Sequence, residues 1–566
     1  MNVPCPLPSR WRAGLCAAIL VYALIVLGTQ PDNYRDTLHY ARHIADHQAK
    51  VVSSGEDPFW DFGHALWRPM GYLLWPLFRG HGQDVLAAAS ALIAWSLLGG
   101  LLCTVFLYLL AARSTGKTWI AFLVTAGFLG TQTLVNYAPT GTAYLAGAAC
   151  QITALYLLDG AIRGDRFTWK RASGAGALLG ASFCIWFPFS LSLPGLLCYG
   201  LFWPHDGAKN PWREASRRVP FLLQTAAWTA VVAIAVYAVV MLLGHVTTLA
   251  AAKAWFARSR YRILPTLGYL RLLAGVPRSF FWLGDDGVVW KRLLLRSPDH
   301  PVSLAELAGT GLWKVAFTYT VLGLLVYRLT QSGKGRTLLV CLVVVALPIA
   351  LFASFLFDPS APERYLPAYP LLFLGFAHAM AEPRAAWFGR AVVPAFFCAM
   401  LAVNCTAMSR FLGERSHEAA IRRLESVNRL AAPGDRILLL SFGDDAIKFL
   451  NSRPFHPAAR NMELVGVVIE QGTTGTLTWK RDFARAAFAT WTAGGRVWVS
   501  HRLLALTPAR EWNWVEGDDS RVDWPDIAAF FRQLEFAGPV GDPDGFSELA
   551  KSGRNRQVLS RAVGQG

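Results

Sequence analysis

A chain of 566 residues with 54% hydrophobic and only 16% charged side chains, and a mean hydropathy of +0.34, excludes an ordinary soluble domain and makes the bilayer its expected solvent. The formal charge of +17 raises the question of nucleic acid, but the Lys and Arg mostly stand in short loops between apolar runs. There they act as topology signals and phosphate contacts, so no nucleic-acid partner is expected.

The aromatic content of 13%, including 22 Trp, suits many lipid–water boundaries, where indole and phenol rings settle at the headgroups. Arg10 and Arg12 precede the first apolar run as in a signal peptide. No small-residue cleavage site follows, so a retained anchor is expected. A helix needs about 20 apolar residues to cross about 30 Å of hydrocarbon. That ruler finds about eleven spans, near 11–29, 84–112, 118–137, 142–159, 172–187, 189–203, 219–243, 312–330, 337–357, 365–381 and 390–411. The two around Trp186-Phe187-Pro188 are short, and with Pro194 they read as a full pair or a bent one. Cys5, Cys16, Cys103, Cys150, Cys184, Cys198, Cys341, Cys398 and Cys405 fall nearly all in these runs without metal-ligand spacing. They read as small buried hydrophobes, and no disulfide is expected after Cys405.

With a cytoplasmic N-terminus, the cytoplasmic loops hold Arg113 and Lys117; Arg163, Arg166, Lys170 and Arg171; Lys209, Arg213, Arg217 and Arg218; Lys334 and Arg336; Arg384 and Arg390. The short opposite loops hold almost none, which is the positive-inside pattern. An odd number of spans then puts residues 412–566 outside a bacterial inner membrane. This more polar tail reads as a small α/β domain after a transmembrane domain of residues 1–411. Arg436–Leu440 and Arg496–Val499 are expected strands, preceded by turns at Gly434-Asp435 and Gly494-Gly495.

Two outward loops exceed mere connectors. Loop 30–83 has helical patterns broken by Gly55, Pro58 and Pro69, with Trp60, Trp67, Tyr72 and Trp75, and suggests helices lying in the interface. Loop 245–311 interleaves Lys253, Arg258, Arg260, Arg262, Arg271 and Arg278 with Trp255, Phe256, Tyr261, Phe280, Phe281 and Trp282. It reads either as a long loop that escapes the charge rule or as a surface for an anionic lipid phosphate.

Directly after the first span stands Pro31-Asp32-Asn33-Tyr34-Arg35-Asp36-Thr37-Leu38-His39-Tyr40-Ala41-Arg42, followed by Gly63-His64-Ala65-Leu66-Trp67-Arg68-Pro69-Met70-Gly71-Tyr72. With the hydropathy layout, this resembles the multi-spanning GT-C glycosyltransferases, which use sugars on polyprenyl phosphate. The resemblance implies an essential acidic residue in the first external loop, with Tyr and Ala four and five positions on. Asp36 with Tyr40 and Ala41 fits; Thr37 replaces the usual second acid, which leaves Asp32 as a rival. Near the end, Asp358-Pro359-Ser360-Ala361-Pro362-Glu363-Arg364-Tyr365 is similar to the Arg-aromatic pair of the mannosyl- and aminoarabinosyl-transferase branches. There the Arg contacts the donor phosphate. The likeness covers roughly residues 1–410 as architecture and about three short stretches as motif.

The residue types suit the chemistry on their own terms. Transfer from a lipid phosphate to a hydroxyl passes through an oxocarbenium-like state, and a carboxylate opposite the leaving group can take the acceptor proton. Asp36 is the expected base. The phosphate leaves without a general acid and calls for a cationic fork, for which Arg364 is the first choice. Glu363 then orients Arg364, and His64, Arg68 and Tyr40 join Arg258, Arg260 and Arg262 as substrate contacts. The plainer alternatives pair Asp36 with Arg35 or Arg42, pack His64 among Trp60 and Trp67, and let Arg68 and Tyr72 snorkel. Asp285-Asp286, after Gly284, reads as a turn and Asp444-Asp445 as a solvated turn or a helix N-cap, rather than as metal pairs, and no cofactor is expected.

The reading is thus an inverting membrane glycosyltransferase acting on a glycan, lipid or protein acceptor. A flippase would call for mid-span charges and repeated halves. A non-catalytic scaffold would leave Asp36 and Arg364 far apart.

Overall fold

The computed structural model describes residues 9–31, 35–49, 57–79, 84–204, 211–258, 268–283, 302–356, 361–382, 387–409, 431–432, 434–440, 462–465, 478–500, 524–537 and 546–564, with positions 289, 293 and 359 besides. In chain order, α1 (Ser9–Gly28) leads to α2 (Arg35–Gln48) and α3 (Trp67–Leu74), then α4 (Asp84–Thr115), α5 (Thr118–Leu129) and α6 (Gln132–Tyr137). There follow α7 (Tyr144–Arg163), α8 (Trp169–Ile185), α9 (Leu193–Phe202), α10 (Pro211–Leu243), α11 (Leu249–Arg258) and α12 (Gly268–Phe280). The short helix Leu304–Gly309 and helices Leu312–Thr330, Gly333–Leu356, Tyr369–Ala381 and Val393–Ala407 follow.

Seven of the described helices are long and apolar enough to cross a membrane, and the chain is a multi-pass membrane protein. Of the eleven expected spans the other four are short, with 12 residues in α5, 17 in α8, 10 in α9 and 13 in Tyr369–Ala381. Local breaks shorten three of them. Thr131 leaves the helical region and caps α6 through its side chain, which accepts from Leu134 N–H. The 3₁₀ turns Phe187–Ser192 and Pro362–Ala368, each with proline near its start, precede α9 and Tyr369–Ala381.

The first long loop forms helices as expected, with one correction. Pro69 does not break α3 but stands third in it, in the first turn, where its missing N–H had no helical acceptor to lose.

Basic loop residues gather at one end of the bundle. Arg163 Nε meets Asp159 Oδ1 at 2.7 Å, Arg113 reaches Asp159 at 3.7 Å, and Tyr199 Oη donates to the same carboxylate at 2.6 Å. Two cations and a hydroxyl thereby compensate a fully buried charge. Nearby, Lys117 Nζ donates to Ala381 O and Arg218 Nη1 to Trp203 O. At the opposite end Gln30 N–H donates to Met408 O at 2.8 Å, and Thr29 bridges Ser409. The ends of the first and last spans therefore adjoin.

A separate apolar core lies in the C-terminal part, around a mixed five-stranded sheet of order β2-β1-β3-β5-β4. β1 (Arg436–Leu440) runs parallel to β2 (Met462–Val465) and β3 (Val497–Ser500); β5 (Phe546–Leu549) runs antiparallel to β3 and β4 (Phe536–Ala537). The turn glycines Gly434 and Gly494 have φ of 95° and 83°, the left-handed region that glycine enters without strain. Arg496 N–H and side chain both bond Asp435, which ties the two turns together. Asp444-Asp445 and Asp285-Asp286 lie outside the described residues. Among the described residues eight cysteines are free thiols, and Cys16 and Cys398 lie on exposed helix faces rather than buried, as apolar side chains can where lipid is the neighbour.

Candidate active site

The face of α2 that carries Thr37, Tyr40, Ala41 and Ile44 is buried, at the i, i+3, i+4 spacing of an amphipathic helix. One residue between α6 and α7 fastens both loop helices. Gly141 N–H donates to Thr37 Oγ1 at 2.8 Å, and Trp67 Nε1 donates to Gly141 O at 2.9 Å. Thr37, which stands where the resemblance implies an acid, is thus an anchor that fixes Asp36 beside it.

Asp36 accepts from Tyr144 Oη at 3.2 Å. The Tyr144 ring stands edge-on to Tyr137 and Trp186, with centroids 4.8 and 4.7 Å apart. Tyr137 Oη donates to Glu363 Oε2 at 2.5 Å, and Glu363 Oε1 lies 3.3 Å from Arg364 Nη2. The Arg364 guanidinium lies 5.6 Å from the centroid of the Trp186 ring. Asp36 and Arg364 are therefore joined through Tyr144, Tyr137 and Glu363, contrary to what a scaffold would require. Thr133 Oγ1, donating to Ser279 O and Pro362 O, ties α6 to the end of α12 and to the 3₁₀ turn.

A second cluster occupies the segment before α3. The Asp61 carboxylate meets His64 Nδ1 at 3.1 Å and Arg68 Nη1 at 3.3 Å. His64 Nε2 faces Tyr40 Oη at 3.1 Å, while Arg68 Nε donates to His43 Nδ1 at 3.0 Å and its guanidinium lies 4.8 Å from the Tyr40 ring centroid. His43 and His39 rings meet edge-on at 4.1 Å. Burial pushes the His43 imidazole well below its ordinary pKa, helped by Arg68. Burial also lowers His64, against the opposing pull of Asp61. Both rings are neutral near neutral pH. His64 then carries its proton on Nδ1 toward Asp61 and accepts from Tyr40 at Nε2.

Arg42 reaches Asp46 at 3.6 Å, one turn along from it, and Asp36 has Tyr144, while the Arg35 side chain lies outside the described residues. Arg68 does not snorkel: it is only 3% exposed, and the half-buried Asp61 and His43 hold it. The His64 ring meets Tyr40, and Tyr72 donates to Gln48 at 2.6 Å. The basic loop flanks both clusters. Trp255 of α11 bonds Trp60 O, and α12 packs against the turn that carries Arg364. Arg258 ends α11, its side chain outside the described residues, and Asp32, Arg260 and Arg262 lie outside them altogether. Among the described residues no three His, Cys, Asp or Glu side chains gather as a metal site.

No family model matches the chain, and no curated protein does. Among solved structures it is similar to ArnT from Cupriavidus metallidurans in the apo state, with 14% identity, 97% of this chain and 98% of that one covered, and a TM-score of 0.53. The same ArnT bound to undecaprenyl phosphate aligns at 13% identity over 96% and 98% of the two chains, with a TM-score of 0.51. The fold is the GT-C fold. A looser likeness, with a TM-score of 0.45 and 14% identity over 94% and 72% of the chains, links it to the oligosaccharyltransferase of Archaeoglobus fulgidus.

Within this GT-C frame, sequence reading missed Tyr137, Tyr144, Trp186, His43 and Asp61. The tyrosines and Trp186 border apolar runs, where aromatics pass for interface anchors. Asp61 offered a signal: it stands three residues before His64, a spacing that brings side chains together in a turn.

Proposed function

We propose that this GT-C chain is an inverting glycosyltransferase that moves a sugar from a polyprenyl-phosphate donor to an extracytoplasmic glycan, lipid or protein. The carrying observation is the approach of the Asp36 carboxylate to the Glu363–Arg364 pair through Tyr144 and Tyr137. An ArnT structure holds undecaprenyl phosphate, the kind of ligand the Arg364 fork would meet. The acceptor oxygen attacks the anomeric carbon, its proton passes to Asp36, and the bond to phosphate breaks as the polyprenyl phosphate leaves toward Arg364. Glu363 orients Arg364, and Arg68, His64, Tyr40, Arg258, Arg260 and Arg262 serve the substrates. The chain sits in a bacterial inner membrane as a transmembrane domain of residues 1–411 and an extracytoplasmic domain of residues 412–566, with a cytoplasmic N-terminus.

The test is release of free polyprenyl phosphate from a polyprenyl-phosphate monosaccharide by the protein in proteoliposomes, with a membrane extract as acceptor. Asp36→Asn should cut turnover about 10²- to 10⁴-fold with donor binding kept. A loss of that size in Asp32→Asn, with Asp36→Asn active, moves the base to Asp32. A wild-type protein that binds donor and never releases the lipid phosphate overturns the proposal.

A further inference from the structure

A base that takes a proton at each turnover must also lose it. Tyr144 occupies Asp36 from the bundle side, and one helical turn along α2 on the same side stands Tyr40. Tyr40 is 6% exposed and its hydroxyl points at His64 Nε2, while the other His64 nitrogen is held by Asp61. This is the order of groups in an Asp-His-hydroxyl array, with the carboxylate fixing the tautomer and supporting the imidazolium that forms. We infer that Tyr40, His64 and Asp61 form a relay that carries the acceptor proton away from Asp36, with His64 as its holder.

The relay rests on the proposed transfer with Asp36 as base. In it the Asp36 carboxylic acid gives its proton to Tyr40 Oη as Tyr40 gives its own to His64 Nε2. Asp36 returns to a carboxylate, Tyr40 is unchanged, and the imidazolium is paired with Asp61 until it releases the proton to water. The charged and titratable groups that face His64 are Asp36 and Tyr40 from α2, Arg68 from α3 and Asp61 from its own segment. Arg68 balances Asp61 at rest, which leaves the ring neutral and able to accept. A plain ion pair would be complete without His64, because Arg68 already joins Asp61 to His43. The His64–Tyr40 contact adds a basic nitrogen directed at the strip of α2 that bears Asp36.

Three readings test it in the full-length protein in proteoliposomes. With the polyprenyl-phosphate monosaccharide as probe, His64→Gln should lower kcat about tenfold or more, less than loss of the base itself, with the loss falling mainly on kcat rather than on KM for the donor. The variant should also lose the acid limb that an imidazole gives to the pH profile. Added imidazole should restore turnover to His64→Ala, which a packing role would not allow. The third reading needs no activity: the titration of ¹³C-labelled His64, followed by magnetic resonance, should move to lower pH in Asp36→Asn, because the Asp36 charge favours the imidazolium. A His64 titration indifferent to Asp36, or His64→Gln with full turnover and an unchanged profile, overturns the relay even if transfer stands. Wild-type protein that releases no lipid phosphate overturns the transfer reading and the relay with it.

Discussion

Replacing Arg364 by Ala separates the two things this side chain is asked to do. Glu363 and Arg364 pair at 3.3 Å with side chains 5% and 8% exposed, and Tyr137 donates to the other Glu363 oxygen. Removing the guanidinium leaves a buried carboxylate with that hydroxyl beside it, and breaking a buried pair from one side costs about 3–5 kcal/mol. Arg364→Ala should therefore melt well below wild type in detergent. Adding Glu363→Gln removes the stranded charge while its amide oxygen still accepts from Tyr137, so the double variant should recover most of that loss. Transfer should not recover, since phosphate needs the two-pronged cation. The assay is a double-mutant cycle read twice on the same preparations, by thermal unfolding and by release of polyprenyl phosphate. If transfer returns together with stability in the double variant, Arg364 is a packing residue and the phosphate assignment fails. If Arg364→Ala melts like wild type, the pair does not hold Glu363 and the account of the turn is wrong.

Two further outcomes are expected. Reporter fusions after Arg171, Arg218 and Lys334 should read cytoplasmic and those after Pro139, Pro362 and Gly434 external; a cytoplasmic signal at Gly434 would remove the exported domain. Because His43 and His64 are held below the ordinary imidazole pKa of about 6.5, their contribution to stability is complete above that value and is lost as pH falls through their lower folded values. The melting temperature should drop across that acid window, and His43→Gln with His64→Gln should flatten the drop; an equally steep fall in the double variant would contradict their neutral burial.

Hydrophobic run length carried the membrane part of the fold, because lipid forces each backbone polar group into helical bonds. It overcounted full-length helices where Thr131, Pro188 and Pro362 interrupt the helical backbone, since an apolar run says nothing of where the chain turns. Motif spacing pointed to Asp36 and Arg364, which carry visible charge in otherwise apolar surroundings. What joins them was illegible. Tyr137 and Tyr144 work through the orientation of one hydroxyl each, and His43 and Asp61 through contacts across α2 and α3 that exist only once Thr37 and Trp67 close on Gly141. In the tail, Gly434 and Gly494 marked the turns because positive φ demands that residue type.

The bond between Gln30 and Met408 sets a schedule for biogenesis. The first helix reaches the membrane early in synthesis, and little of it is buried by neighbours in the finished bundle. Its C-terminal end, from which the loop bearing Asp36 departs, is pinned by a span that emerges only near residue 408. That last span also supplies Asn404, whose side chain gathers Gly130, Phe280 and Trp282. A nascent chain stopped before it would already contain every candidate site residue from Asp36 to Arg364 and still lack the clasp between the first and last spans, which closes only once the last span has been made.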